Sequence, residues 1–445
     1  MSSKHLPPDL RRTSLADVFV PQRLQWAVAE ASRCLMCDDA PCQQGCAANV
    51  DIKKFIRALR SRNIRQAANV IRDANFLIAT CGRICPQREL CEARCTAAGL
   101  SRPIAIGELQ RFVGETVIRG GVKPTFPEAT SRGQVGIIGA GPAGLAAAYY
   151  LRRAGIVADL YERRAVVGGI PMVGIPTFRL PRAILNAELA FLADAGIQVI
   201  HEEAADLAAL ATRYAALFVA CGLGGPRTAG IPGETLRGVF VADHLLETVN
   251  LGAEAPRFHG PTVVLGGGNT AFDAASLSLR LGSGSVLVAY RRSDTEMPAW
   301  REHRDFSMDE GVTSRFLLIP EEILGDGGAV SGVRFSRAAL GAADRSGRRL
   351  PHPIPGSHET IACSQVVLAI GNDKPCAWES LGLKAGDKGP AVDPATMATS
   401  RPGIFAGGDL VNGGGTVVQA VADGRRAAAA IAARIFQDDL RPREP

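Results

Sequence analysis

The sequence predicts an α/β protein in which a helical N-terminal domain precedes two Rossmann-like units. Eight of its eleven cysteines lie between Cys34 and Cys95. A strand, glycine turn, helix, strand pattern occurs in "QVGIIGAGPAGLAAAYYLRRAGIVADLYER" and returns in "PTVVLGGGNTAFDAASLSLRLGSGSVLVAYRR". Near the C-terminus, "GIFAGGDLVNGGGTVVQAVADGRRAAAA" reads as a strand, a Gly-rich loop and the start of a long Ala-rich helix. At 445 residues the chain exceeds one ordinary core and calls for two or three domains.

Residues 1–128 form the expected helical domain. "QWAVAEASRCL" and "IKKFIRALRSRNIRQAANVIRDA" carry apolar residues at three- and four-residue spacing, and strand-like runs are scarce. The stretch "GGVKPTFPEATSRG", rich in Gly, Pro, Ser and Thr, reads as a linker. The first part of the first nucleotide domain is expected at 129–245, the second nucleotide domain at 246–359, and the rest of the first at 360–445.

With 47% hydrophobic and 21% charged residues, the chain is globular rather than disordered. Its net charge of +6 is spread without a basic run, so nothing supports nucleic-acid binding. "MSSKHLPPDLRRTSL" lacks the apolar core of a secretory signal, and no run of about 18 apolar residues predicts a membrane span. A cytoplasmic protein is expected. Disulfides are rare there, so dense cysteines point to metal or redox work. The isolated Cys221, Cys363 and Cys376 read as packing residues or ordinary surface thiols.

In the first unit, Gly139-x-Gly141-x-x-Gly144 follows an apolar strand and opens a helix through Pro142 and Ala143. Gly139 permits the tight turn, Gly141 lets the backbone approach a pyrophosphate, and Gly144 lets helix and strand pack closely. Glu162 ends the next strand, where a carboxylate can take both hydroxyls of an adenosine ribose. The second unit reads Gly266-x-Gly268-Asn269-Thr270-Ala271, and Arg291 falls where Glu162 stood. A guanidinium there suits a 2′-phosphate, and Arg292 adds a second positive charge. NADPH is therefore favoured over NADH, against the plain alternative of two solvated arginines.

The segment around Gly408, Asp409, Thr416 and Val417 resembles the second FAD fingerprint of the glutathione-reductase-like flavoproteins. That resemblance implies an FAD domain with the NAD(P) domain nested inside it. The Asp would bind the ribityl chain, and the helix N-terminus would face the pyrimidine end of the flavin. The disulfide-reductase branch of that group keeps a CxxC or Cx4C pair beside the flavin, and none occurs after residue 95. Electrons should leave the flavin by another route.

Cys34, Cys37, Cys42 and Cys46 form one group, and Cys81, Cys85, Cys91 and Cys95 a second. Eight thiolates could close two zinc sites. Zinc does no redox chemistry, so beside a flavin without another acceptor iron–sulfur clusters are the better reading. Spacing alone does not pair the ligands.

The run "SRCLMCDDAPCQQGC", "CGRICPQRELCEARC" and "PIAIGELQRF" is similar to the electron-input half of dihydropyrimidine dehydrogenase, in bacteria a separate PreT-type subunit. The likeness covers nearly the whole chain and includes "GIPTFRLP". It implies two [4Fe-4S] clusters with interleaved ligands. One would use Cys34, Cys37, Cys42 and Cys95; the other would use Cys46, Cys85, Cys91 and Gln110, with Cys81 left out. It also implies that Gly169 and Arg179 belong to the FAD site. The expected partner is an FMN-containing subunit that reduces uracil or thymine, in a heterotetramer. The glutamate synthase small subunit is a near relative. Five residues between Cys85 and Cys91, and Gln110 in place of an acid, favour the dihydropyrimidine group. Arg292 stands where NADH-using PreT-type chains tend to carry an acid. A stand-alone NAD(P)H-dependent reductase of a soluble carrier, and a redox-sensing module without turnover, are the readings from other classes.

Overall fold

The computed structural model describes residues 4–202, 206–344, 347–373 and 377–439; Cys376 lies outside them. Contacts divide the chain into two compact units. One contains Met1–Val20, Val173–Arg179 and Gly225–Asp373, and the other contains Pro21–Met172, Leu180–Gly224 and Lys374–Pro445. The helical domain and the first nucleotide sheet thus fold together, and the second nucleotide sheet has its own unit.

Strands β1 (Ser131–Ile138), β2 (Ile156–Tyr161), β3 (Val199–Ile200) and β4 (Ala216–Val219) precede β5 (Val239–Val241), β6 (Pro261–Gly266), β7 (Ser285–Tyr290) and β8 (Thr313–Phe316). They are followed by β9 (Leu318–Asp326), β10 (Ala329–Ala343), β11 (Arg349–Ala362), β12 (Gln365–Ala369) and β13 (Ile404–Ala406). One parallel sheet has the order β13-β4-β1-β2-β3. The other has the order β5-β12-β6-β7-β8. An antiparallel trio, β11-β10-β9, joins the second unit. The boundaries expected at 245/246 and 359/360 therefore move. β5 and β12, assigned from sequence to the first nucleotide domain, hydrogen-bond into the sheet of the second.

The helical domain also loses its first residues to that second unit. Val18 donates its N–H to the Phe178 carbonyl, and both side chains join the core around Phe272 and Phe306. Arg11, 4% exposed, lies over the Phe306 ring and reaches Glu310 at 3.1 Å. Arg280 meets the same carboxylate at 2.7 Å while its guanidinium covers Phe178. A carboxylate shared by two guanidiniums is a buried charge matched on both sides; removing one partner leaves the others uncompensated.

Local sequence explains the helices that carry the cysteines. Asp51 and Asn63 cap the Ile52–Arg60 and Ile64–Arg72 helices, accepting the N–H groups of Lys54 and Gln66. Both helices bury one apolar face, including Phe55, Leu59 and Ile71. Gly82 and Gly114 let the Ile78–Ile84 and Ile106–Arg119 helices touch backbone to backbone. A Cβ on Gly82 would stand 2.5 Å from the Arg111 nitrogen, and one on Gly114 would stand 2.5 Å from that of Ala79. Arg111, 1% exposed, is enclosed by Glu108 and Glu115, and Arg83 completes the network.

Candidate functional site

Cys34, Cys37, Cys42 and Cys95 line one small cavity together with Leu35 and Lys53. Met36 and Ala40 hold left-handed backbone, φ 55° and 39°, which folds the cysteine loop around that space. Burial pushes the Cys34 thiol above its usual range and the Cys42 thiol up to about 11, and Cys95 opposes ionisation of both. A cationic iron core is what four such thiolates need to ionise together. The Ile104 N–H points at Cys95 Sγ, 3.4 Å away, the kind of contact that tunes cluster potentials.

Cys46, Cys85 and Cys91 form a second knot. The Cys46 thiol is raised by burial. Cys85 is raised well above its usual range, first by its hydrogen bond to Cys81 and then by burial, and Cys91 by burial and the neighbouring Glu92. Cys42 of the first set acts on Cys91, so the two sets adjoin. Cys81, left out by the resemblance, is drawn into this knot beside Cys85 and Cys46. Gln110 donates its Nε2–H to the Ile78 carbonyl at 3.0 Å, leaving its amide oxygen as the remaining donor atom. Among the described residues, no group of three or more His, Cys, Asp or Glu is arranged as ligands of a single metal ion. All-thiol surroundings at the first set, and three thiols with an amide and a fourth thiol at the second, fit iron–sulfur clusters.

The first nucleotide unit is closely fitted. Gly139, φ +99°, makes the turn after β1, where a Cβ would stand 2.6 Å from the Ala220 oxygen. Gly141 is the cap of the Pro142–Arg153 helix, whose first residue is Pro142. A Cβ on Gly144 would strike the Gly139 carbonyl, and Ala143 is buried beside it. Glu162, 7% exposed, accepts the N–H groups of Ala140 and Arg164, each at 2.9 Å. Gly169, φ +58°, lies against the same turn; its Cβ would come 2.8 Å from the Gly141 Cα. At the other fingerprint, Gly408 has φ +68° and donates its N–H to Asp423 at 2.9 Å. Burial raises the Asp409 carboxyl, which accepts from the Gly415 N–H at 3.0 Å. Thr416 and Gln419 cap each other ahead of the Val417–Asp439 helix. The Val417 and Val418 N–H groups precede the first bonds that the helix closes, from Gln419 and Ala420 back to Thr416, and can face an electron-rich ring. The turns left bare of Cβ atoms and the convergent N–H groups fit FAD.

In the second unit, Gly266 has φ +151° and Gly268 caps the Asn269–Arg280 helix. A Cβ on Gly268 would meet nothing within 4 Å, so the backbone is open to a phosphate. Thr270 is exposed and Ala271 buried. Asn269 is turned inward, its Oδ1 accepting from the Trp300 N–H. Arg291 is exposed; partial desolvation and then the charges of Arg292, Arg348 and Arg227 weaken its hold on its proton, a strain that an anion would relieve. Arg292 does not add a second free charge as expected. It is 5% exposed and donates to the Arg349 carbonyl and to Asp344, both at 2.8 Å.

Arg179, expected beside FAD, is held by the second unit. Its Nη1 lies 2.6 and 2.8 Å from the two oxygens of Asp273 and 3.1 Å from His303 Nε2. Burial works against the Asp273 charge, but Arg179 and His303 outweigh it and hold that carboxyl below its usual range. Burial and then Arg179 lower His303, so the ring is neutral near pH 7. Sequence reasoning missed Asp273, His303 and Asp423. Each sits on a nucleotide-unit helix, or the one packed on it, inside a run that reads as ordinary helix. Cys363 is core, its thiol pushed up to about 12, and Cys221 packs partly buried against a core cluster.

Comparison with known proteins agrees with this geometry. Residues 11–122 match a family described as dihydropyrimidine dehydrogenase domain II, 4Fe-4S cluster, and residues 133–424 match pyridine nucleotide-disulphide oxidoreductases. The chain belongs to the pyridine nucleotide-disulphide oxidoreductase family, with an N-terminal 4Fe-4S domain of the dihydropyrimidine dehydrogenase type. Within that family it is 34% identical to the NAD-dependent dihydropyrimidine dehydrogenase subunit PreT of Escherichia coli, over 91% of this chain and 93% of the relative. It is 34% identical to the glutamate synthase [NADPH] small chain of Halomonas elongata, over 95% and 93%. It is 36% identical to the NADP(+)-dependent formate dehydrogenase subunit beta of Moorella thermoacetica over 91% of this chain, and spans 61% of that longer relative. The fold resembles FprA of Mycobacterium tuberculosis, with a TM-score of 0.56 and 18% identity over 68% of this chain and 85% of that one. No helix among the described residues is long and apolar enough to cross a membrane.

Proposed function

We propose that this chain is the electron-input subunit of a dihydropyrimidine dehydrogenase. It would take electrons from NADPH and hand them to an FMN-containing partner that reduces uracil or thymine to the 5,6-dihydro form. The observation that carries this reading is that the cysteine-bearing helices and the expected flavin sheet share one compact unit. Bound FAD would convert a two-electron donor into the one-electron steps that clusters accept. The protein's part is placement. Gly139, Gly141, Gly144 and Glu162 would hold its adenosine and pyrophosphate, and Gly408, Asp409 and the turn from Thr416 to Val417 its flavin end. Gly266, Gly268 and the helix from Asn269 would hold the nicotinamide dinucleotide, with Arg291 on the 2′-phosphate. The two clusters keep the ligands the resemblance implies, Cys34, Cys37, Cys42 and Cys95, and Cys46, Cys85, Cys91 and Gln110. Cys81→Ala should then leave about eight irons per chain, whereas Cys85→Ala should lose about four.

The deciding experiment is anaerobic recovery of the tagged chain from its own cells. A co-purifying subunit with FMN and uracil-dependent oxidation of NADPH is expected. Recovery with a glutamine-dependent partner would replace the pyrimidine assignment by the second reading, a glutamate synthase small chain, which the 34% identity to the Halomonas elongata protein supports. Recovery with a formate-oxidising partner, or alone, would also overturn it.

A further inference from the structure

Glu188 stands on the Arg182–Leu189 helix, which packs on the Ile78–Ile84 helix. Its two oxygens accept the N–H groups of Ala79 at 2.6 Å and Thr80 at 2.9 Å. Ala79 and Thr80 are both fully buried, so the carboxylate tip lies in the interior. The residue as a whole is only partly buried, which leaves a route for solvent protons. The helix it clasps ends at Cys85, and the Ile78 carbonyl in its first turn holds the Gln110 amide. Glu188 thus grips the segment that presents two expected ligands of the second cluster, without touching either.

A carboxylate in that place answers to nearby charge. Burial pushes its carboxyl up to about 7, although hydrogen bonds from Thr80 and Ala79 and the charge of Arg72 pull it back. Tyr149 acts on Arg72 as well. The other charged groups on the helices packed around it are Arg83, Glu108, Arg111, Glu115 and Arg119; the first four pair with one another, and Arg119 reaches Glu115 from the surface. Arg182, on its own helix, donates to the carbonyls of Pro171 and Leu180. An extra negative charge at the second cluster would therefore act on Glu188, and also on Glu92 beside Cys91, which accepts the Gly107 N–H.

We propose that Glu188 couples one proton to each electron that reaches the second cluster. With a cluster held by those ligands and reduced by one electron from a nicotinamide through the flavin, the Glu188 carboxylate would take one proton from solvent and become neutral. An O–H bond forms on Glu188, and no other bond changes on the protein. When the electron leaves, the proton returns to solvent. The net charge of the helical domain stays constant, so an electron enters a buried site without adding unbalanced charge. The inference rests on the two-cluster reading.

The test is an EPR-monitored redox titration of the anaerobic holoprotein between about pH 6 and about pH 9, wild type against Glu188→Gln. The second cluster's midpoint should fall with rising pH through the neutral range. Its slope should approach the about 59 mV that a tenfold change in a one-electron equilibrium represents. The first cluster should be flat, and Glu188→Gln should flatten the second with iron content unchanged. A flat wild-type midpoint, or a slope surviving in Glu188→Gln, would overturn the proposal. Should that variant lose iron, reduction-induced infrared difference spectra of the wild type decide. A protonated carboxyl band must rise on reduction, and its absence counts against Glu188. Iron and sulfide are measured first. Lack of cluster signals would sink the two-cluster reading itself, whereas intact signals with flat midpoints would sink only the coupling.

Discussion

In the first nucleotide unit the residue after β2, Glu162, is 7% exposed, and its oxygens already hold the N–H groups of Ala140 and Arg164. In the second, the residue after β7, Arg291, is exposed, and the ordered arginine is its neighbour Arg292. The fingerprint helices differ in the same sense. Gly144 lies so close to the Gly139 carbonyl that no Cβ fits, while Ala271 at the matching place already carries one, fully buried. The first unit is set before any ligand arrives, with its carboxylate aimed by the turn it would serve. The second keeps Arg291, the charge proposed to meet the nucleotide, in solvent. A preorganised site suits a cofactor that stays, and a loosely held charge suits a nucleotide that comes and goes.

The largest expected effect follows from that difference in closeness. Gly144→Ala should abolish flavin retention and lower Tm, because the new methyl must push the helix off its strand. Gly268→Ala should leave Tm unchanged, since its Cβ enters open space, and should raise KM for the nucleotide. Flavin absorbance, thermal melting and steady-state kinetics with an artificial acceptor read all three. Full flavin content in Gly144→Ala would break the comparison.

The next effect separates the two arginines. Arg291→Ala should lower kcat/KM for NADPH about tenfold or more, the worth of a charged hydrogen bond, and leave NADH nearly unchanged. Arg292→Met should instead lower Tm, because it strands Asp344 and the Arg349 carbonyl, with little change in the NADPH-to-NADH ratio. An equal loss of discrimination in both variants would mean that Arg292 leaves its pocket to reach the nucleotide.

The two nucleotide units were legible from sequence because their glycines, strand ends and helix starts lie within about thirty residues of each other. The cysteine groups were legible for the same reason. What escaped depends on partners far along the chain. Nothing in "HLPPDLRRTSL" announces that Arg11 meets Glu310, and "AELAFLADAG" gives no sign that Glu188 clasps the Ala79 and Thr80 amides. β5 and β12 are short strands in loop-rich stretches, and only pairing across the sheet assigns them. Arg291 and Arg292 look alike in sequence. The alternation of a strand end puts one side chain out and the other in.

The smallest effect is also the most specific to the comparison, because the two units should respond to pH with opposite sign. Glu188, in the unit that holds the first sheet, has its carboxyl raised to about 7 by burial. The folded state there binds more protons than the unfolded one between the ordinary carboxylate range and neutrality. Its contribution is fully present at low pH and is lost as pH rises towards about 7. His303, in the other unit, is lowered by burial and Arg179. The unfolded state there binds more protons below about pH 6.5, so stability is lost as pH falls through that value. Asp273, held below its usual range, adds its loss only in stronger acid. Hydrogen exchange, corrected for the intrinsic rate, should show Ile78–Ile84 better protected at about pH 5.5 than at about pH 7.5, and Asn269–Arg280 the reverse. Glu188→Gln should cancel the first slope alone and His303→Gln the second alone. Slopes of one sign in both segments would mean that a single global equilibrium, and not these two buried groups, sets the response.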